Sequence, residues 1–351
     1  MKRKLGDLAI IVKSKESVEK IDRNKYVTTE NMISNRGGVS FPSSTAPKQK
    51  KLDTFSKDDV LVSNIRPYFK KIWKASFSGY KSGDVLAFRT NNRAILSQEY
   101  LYILLESDRF FEYMTTTAKG TKMPRGDKEA IAEFSFNLPS IAIQKKRSHQ
   151  IEVIEQKILL NQQINANLDE IKTAYFDKSF NQQMQSNLNG KLKNITKITS
   201  GKRPNKKSDT KSSKDKYPIV GASKVMGYTD NYLYNEPILT TGRVGTHGII
   251  QRFREPVWVS DNSFVFKTDH EDYLFEILNH WINYSALNRG STQPLITQTD
   301  LKNIDIYVPT ESELKKFERV SRILTNLQFS LIKQNRRLDQ IKKTLLNKLL
   351  L

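Results

Sequence analysis

In a chain of 351 residues, 58 Lys and Arg against 37 Asp and Glu leave a net charge of +21. Spread through both halves with 14 Tyr among it, that charge points to nucleic acid as partner over a membrane surface. Cysteine is absent, which excludes disulfides, thiolate catalysis and cysteine zinc sites; no apolar run approaches the about 18 residues of a membrane span, and the start MKRKLGDLAI lacks a secretory signal, so a cytoplasmic protein is expected.

Residues 1–139 read as a first mixed unit, with strand-like runs around Val60–Val62 and Val85–Phe88 and helical apolar spacing in EYLYILLESDRFFEYM from Glu99. Within it, SNIRPYFKKIW places Asn64, Arg66, Lys70 and Lys71 about a strand end, with Tyr68 and Trp73 interleaved. That mixture suits a nucleic-acid face, an exposed basic strand edge being the plain alternative. The unit closes with KGTKMPRGDKEAIAEFSFNLP, a loop carrying Lys119, Thr121, Lys122 and Arg125 and then an alternating strand ending at Pro139. Residues 140–182 are expected as a long helix, with Ile154, Asn161, Ile164, Leu168, Ile171 and Tyr175 along one seam.

Residues 183–309 repeat the order strand, strand, helix, loop, strand. RPNKKSDTKSSKDK, from Arg203 to Lys216, is polar enough to be a mobile loop. Lys224 lies in YPIVGASKVMGY, and TTGRVGTHG sets Arg243 and Thr246 among Gly242, Gly245 and Gly248, where missing side chains allow close approach to a phosphate or a base edge. Arginine can bridge guanine O6 and N7; the plain alternative is a hairpin whose Arg243 pairs with a carboxylate. The G-x-x-G-x-x-G spacing does not fit a dinucleotide fingerprint. A second loop follows with Arg289, Ser291, Thr292 and Gln293. Residues 310–351 are expected as a second long helix, opened by a Thr310–Glu313 capping box. Its seam reads Val320, Leu324, Leu327, Leu331, Gln334, Leu338, Ile341 and Leu345.

The two halves share one outline. Gly120, Pro124 and Pro139 match Gly290, Pro294 and Pro309 at a constant offset of 170 positions, and the offset continues through Asn165, Leu168, Asp169 and Lys172 against Asn335, Leu338, Asp339 and Lys342. This period exceeds that of a solenoid, so two copies of a domain plus a helix are expected. A helix of roughly 39 residues spans about 58 Å, a spacer length. Antiparallel packing of the two seams is expected, with Asn161 and Gln334 fixing register. Shared residues suit phosphate positioning, and unshared ones suit discrimination. The four histidines, His149, His247, His270 and His280, have no metal-ligand spacing, and neither a Walker A pattern nor an amino-methyltransferase signature is present, so no catalytic or metal residue is assigned.

This order of elements resembles the specificity (S) subunit of type I restriction-modification enzymes. The likeness rests on KLGDLA, DDVLVSNIRPYFKKIW and GDVLAFR in the first half, on YPIVGASKVMGYTDNYLYNEPILTTGRVGTHGIIQRFREPVWVSDNSFVF in the second, and on the paired G-[ST]-x-x-P loops. It implies an α+β fold of two similar target-recognition domains joined by two long antiparallel coiled-coil helices about an approximate twofold axis. It further implies a non-catalytic reader of double-stranded DNA, each domain taking half of a split site, with the helices setting the gap. Two methyltransferase subunits and two motor-nuclease subunits would be partners, holding S-adenosylmethionine, ATP and Mg2+. A DNA-modifying enzyme with an unrecognised site and a basic coiled-coil interaction protein are the alternatives.

Overall fold

A computed structural model of the chain describes residues 1–18, 22–45, 51–289 and 295–349. In chain order the first half holds β1 (Lys2–Lys4), β2 (Ala9–Ile11), β3 (Lys15–Ser17), β4 (Tyr26–Val27), β5 (Lys51–Phe55), β6 (Val60–Ser63), β7 (Ile72–Lys74), β8 (Gly79–Lys81), β9 (Val85–Thr90), α1 (Gln98–Glu106), α2 (Asp108–Thr116), α3 (Lys128–Ala132) and β10 (Ser135–Asn137). The long helix α4 (Ile141–Ser186) follows. The second half holds β11 (Gly190–Lys191), β12 (Lys197–Ser200), β13 (Tyr217–Val220), β14 (Val225–Thr229), β15 (Ile238–Gly242), β16 (Gln251–Phe253), β17 (Trp258–Val259), β18 (Ser263–Lys267), α5 (Glu271–Glu276), α6 (Gln298–Lys302), β19 (Asp305–Ile306) and the second long helix, α7 (Glu311–Leu349).

The repeat is one of topology. A four-stranded antiparallel sheet runs β2-β9-β6-β7 in the first half and β12-β18-β15-β16 in the second, and a short ladder ties the start of each copy to its end, β1 to β10 and β11 to β19. The central strands, Val60–Ser63 and Ile238–Gly242, are buried along their whole length, as expected of strands covered on both faces. The second sheets differ: β3-β5-β8-β4 against β14-β13-β17.

The helical stretch after β9 is two helices, not one. Ser107, extended at ψ 150, ends α1 and caps α2, its hydroxyl accepting from the Phe110 N–H at 3.1 Å. In the second copy α5 instead runs into a π turn at Ile277–Trp281. The stretch Arg203–Lys216 is irregular but pinned: Ser208 and Tyr228 exchange two backbone hydrogen bonds of 2.8 Å, and Lys206 pairs with Asp215 at 2.7 Å.

By its contacts the chain divides into two compact units, Met1–Leu160 with Gln334–Leu351, and Asn161–Lys333, so each globular copy carries part of both long helices. Within each unit the helix segments run antiparallel. In the first, Asn335 donates to the Ile158 carbonyl, Lys342 to Glu155, and Leu346 packs with Ile151 and Ile103. In the second, Gln328 donates to Asp169 and to the Asn165 carbonyl, and Phe317 stacks on Tyr175 with centroids 5.3 Å apart. Helix α4 passes the expected end at 182 because Phe176, Phe180 and Met184 are core residues of the second copy.

The expected seam is half corrected. Ile154, Ile164, Leu168, Leu324, Leu331 and Leu338 are buried or half-buried, and Asn161 is fully buried. Ile171 (52 % exposed), Ile341 (43 %) and Gln334 face outwards, with Val320 and Leu327. The alternate positions belong to polar neighbours one residue on: Lys172 on α4, and Ser321, Gln328, Asn335 and Lys342 on α7. Hydrogen bonding accompanies the swap, since Gln328, Asn335 and Lys342 find partners on α4, which Leu327 and Ile341 beside two of them could not use. Among the described residues no helix is long and apolar enough to cross a membrane.

Candidate nucleic-acid interface

In the first copy two distant stretches meet at the end of β6. Lys119 and Arg125 close the loop between them with two backbone hydrogen bonds of 2.8 and 2.9 Å, leaving Thr121, Lys122 and Met123 exposed at its tip. The Arg66 N–H then donates to the Pro124 carbonyl at 2.8 Å, and the Gly126 N–H to the Asn64 carbonyl at 3.0 Å. Between Arg66 and Lys70 a single turn, Pro67–Phe69, projects Tyr68 and Phe69 into solvent at 48 % and 38 % exposure. Both flanking residues are left-handed, Arg66 at φ 49° and Lys70 at φ 51°, a conformation that costs a non-glycine residue on the order of 1–3 kcal/mol. The fold tolerates that strain to hold Arg66 exposed beside the loop.

The second copy builds the same frame with other residues. Arg289 donates its N–H to the Leu295 carbonyl at 2.9 Å, the counterpart of Lys119 to Arg125, and Val244 bridges to Leu295 as Ile65 does to Arg125. The Arg243 backbone is fixed at both ends, donating to the Asn262 carbonyl at 2.8 Å and accepting from Ile296 N–H at 3.1 Å. Glycine is required at two places. A Cβ on Gly242 would stand 1.8 Å from the Thr246 carbonyl oxygen and 2.7 Å from the Ala222 Cβ, whereas Gly245 has open space but a φ of +79°. The approach of Ala222 to Gly242 brings the β13–β14 turn, with exposed Lys224, alongside the exposed Thr246.

Charge pairing sorts the candidates. Lys119 pairs with Asp127 at 2.6 Å, Arg125 with Asp84 at 3.2 Å, and Arg289 with Asp300, so the basic residues at the loop bases hold acids of their own chain. Lys70 is tied to Asp108; burial pushes that carboxyl up, but hydrogen bonds from Lys70 and Arg36 outweigh it and hold it down at about 2. Lys71 donates to the Thr29 carbonyl at 2.6 Å, and burial lowers its pKa. Asn64 is buried. Lys70 and Lys71, both half-buried, are thus held by partners far away in the chain, and Asn64 is turned inwards, whereas the sequence suggests residues set about an exposed strand end. Arg66, Lys122, Lys224 and Arg243 have no ion-pair partner among the described residues. Ser291, Thr292 and Gln293 lie outside the described residues.

The family described as type I restriction modification DNA specificity domain matches this chain twice, over residues 1–170 and 186–343. The chain belongs to this family. The type I restriction enzyme HindI specificity subunit of Haemophilus influenzae (strain ATCC 51907 / DSM 11121 / KW20 / Rd) is 29% identical over 128 residues, covering 35% of this chain and 28% of that protein, so the matched stretch spans little more than a quarter of the curated relative. A crystal structure of a type I restriction-modification system S subunit from M. genitalium shares the fold with a TM-score of 0.61 at 16% identity, covering 100% of this chain and 96% of that one. In both specificity domains the frame is common and the exposed residues differ. Phe69 and Met123 are exposed beside the candidate residues without being singled out in the sequence, since their exposure depends on the turn and loop that present them. Sequence reasoning missed the outward apolar residues of the long helices.

Proposed function

We propose that this chain is the non-catalytic, sequence-reading subunit of a type I restriction-modification enzyme. Each specificity domain reads one half of a bipartite site in double-stranded DNA, and the long helices set the unspecified gap. The helices also dock two methyltransferase subunits; two motor-nuclease subunits join for cleavage. S-adenosylmethionine, ATP and Mg2+ reside on those partners, and the complex works in the cytoplasm.

The observation that carries the reading is the twice-built loop frame. The bond from Lys119 to Arg125 recurs from Arg289 to Leu295 in the same register, yet the arginine set beside it is the strained, exposed Arg66 in one copy and the glycine-flanked Arg243 in the other. A repeated frame positions both domains alike on the duplex backbone, and unlike side chains read unlike bases. Docking on the helices is supported by aliphatic residues that face outwards: Val153, Leu159 and Leu160 in the first unit and Ile171, Ile323 and Leu327 in the second, from 45 to 67 % exposed.

Binding to a duplex that carries the cognate split site tests the reading. Arg66→Ala and Arg243→Ala are each expected to weaken binding by about 1–3 kcal/mol and to relax discrimination in one half-site only, a different half for each. Loss spread evenly over both halves in either variant contradicts the division of labour.

A further inference from the structure

The second unit contains a cavity of about 250 Å³ lined by Lys172, Arg252, Phe275, Thr325, Gln328 and Ile332. Two buried cations and the acid Asp169 line it, and its hydrogen bonding is unfinished. The Arg252 guanidinium, 8 % exposed, lies 3.8 Å over the Phe275 ring and donates through Nη1 to Asp272 at 2.5 Å and Glu271 at 3.2 Å. Its Nε and Nη2 are buried without a hydrogen-bond partner among the described residues. Those two nitrogens share one edge of the guanidinium plane, the fork that a carboxylate grips with both oxygens. Beside it Lys172, 2 % exposed, has its ammonium 5.0 Å from the same ring and reaches Asp169 at 3.2 Å, whose own side chain is 61 % exposed.

The first unit shows what completes such an arrangement. Lys342 occupies the place in the repeat that Lys172 holds in the second copy, and its ammonium lies 2.6 Å from both Glu106 and Glu155. Glu106 recurs as Glu276, but Glu155 recurs as Thr325, so the second copy lacks a carboxylate at that position of the facing long helix, and Lys172 is left with Asp169 of its own helix. The ammonium groups respond accordingly. Burial pulls Lys342 down, yet Glu106 and Glu155 hold it above the usual lysine range. Burial, reinforced by Arg252, leaves Lys172 below that range.

We propose that the Lys172–Arg252 cavity is a socket for the carboxylate of an acidic side chain inserted by a protein docked on this face of the helices. Protein, as the source, is favoured by continuity. Ile332 lines the cavity and is 41 % exposed, and Ile171, next to Lys172, is 52 % exposed, so the socket opens within the outward apolar face. Placing the acid on a methyltransferase subunit rests on the docking reading above. Only one copy needs such a group, so the two docking sites are inequivalent, one closed from within by Glu155 and the other from outside.

The test is assembly of the full chain with its methyltransferase subunit, followed by sedimentation and calorimetry for wild type, Thr325→Glu and Arg252→Lys. Thr325→Glu restores the carboxylate of the first copy in cis, and Arg252→Lys keeps the charge but removes the fork. Both are expected to leave the first methyltransferase bound and to weaken the second about tenfold or more. Thr325 lies against Asp272, so melting curves accompany each variant, and Arg252→Lys decides if Thr325→Glu melts early. Two equally tight sites in both variants overturn the socket and leave docking standing. A wild-type chain that recruits no methyltransferase overturns the docking reading and the socket with it. If assembly is unchanged while free acetate raises the melting temperature of wild type but not of Thr325→Glu, a small anion replaces the protein occupant and the proposal fails.

Discussion

Glu318 is 6 % exposed, and its carboxylate accepts the Tyr273 N–H at 2.9 Å. Burial dominates, and its pKa is pushed up to about 7. An acid whose folded pKa lies above its unfolded value contributes stability at low pH that is lost as pH rises through the folded value. Between about pH 5 and 7 wild type should therefore lose more stability than Glu318→Gln, which keeps an acceptor for Tyr273; the difference is on the order of 2 kcal/mol. Denaturant melts across that range check it, and parallel curves would contradict it. Residues of this kind were not legible in the sequence, since a buried Glu on a charged helix reads like an exposed one. The tight turn around Arg243 was legible, because glycines on either side are a local signal. The partners of Lys70 and Lys71 were not legible for the opposite reason: Asp108 and the Thr29 carbonyl reach them only through the fold.

The long helices teach a lesson about pattern. Two apolar stripes run along α7, one through Leu324, Leu331 and Leu338, half-buried, the other through Val320, Leu327 and Ile341, exposed. Periodicity alone joins them into a single seam. The structure separates them, giving the inner alternate positions to Gln328, Asn335 and Lys342. Leu338→Ala should accordingly cost about 1–2 kcal/mol as a half-buried truncation, whereas Ile341→Ala should stay within about 0.5 kcal/mol. Thermal melts of the two variants side by side provide the check, and equal losses would mean that both stripes are inside. The capping box at the start of α7 was legible as written: Thr310 N–H donates to Glu313 at 2.7 Å, and Glu313 N–H returns to the Thr310 hydroxyl at 3.4 Å.

At the scale of the whole molecule the repeat is the property that the sequence displayed best and on which the proposed function rests. The offset between the two loops marked the common frame, and the first sheets confirm it strand by strand. The second sheets diverge, β3-β5-β8-β4 against β14-β13-β17, and the shared loop and helix residues gave no sign of that difference. If the helices set the gap between half-sites, inserting four residues into each adds about one turn and about 6 Å. The permitted gap should then lengthen by one or two base pairs at about 3.4 Å per pair. A gap unchanged in the methylated motif would remove the ruler while leaving the readers.

The central claim is that two different readers on one frame direct methylation to a split site. Single-molecule methylation sequencing of host DNA, with the methyltransferase partner active and this gene present or deleted, tests it most directly. The account predicts that one motif of two short half-sites with a fixed gap is methylated with the gene and unmethylated without it. Methylation that is identical in the two strains would contradict it.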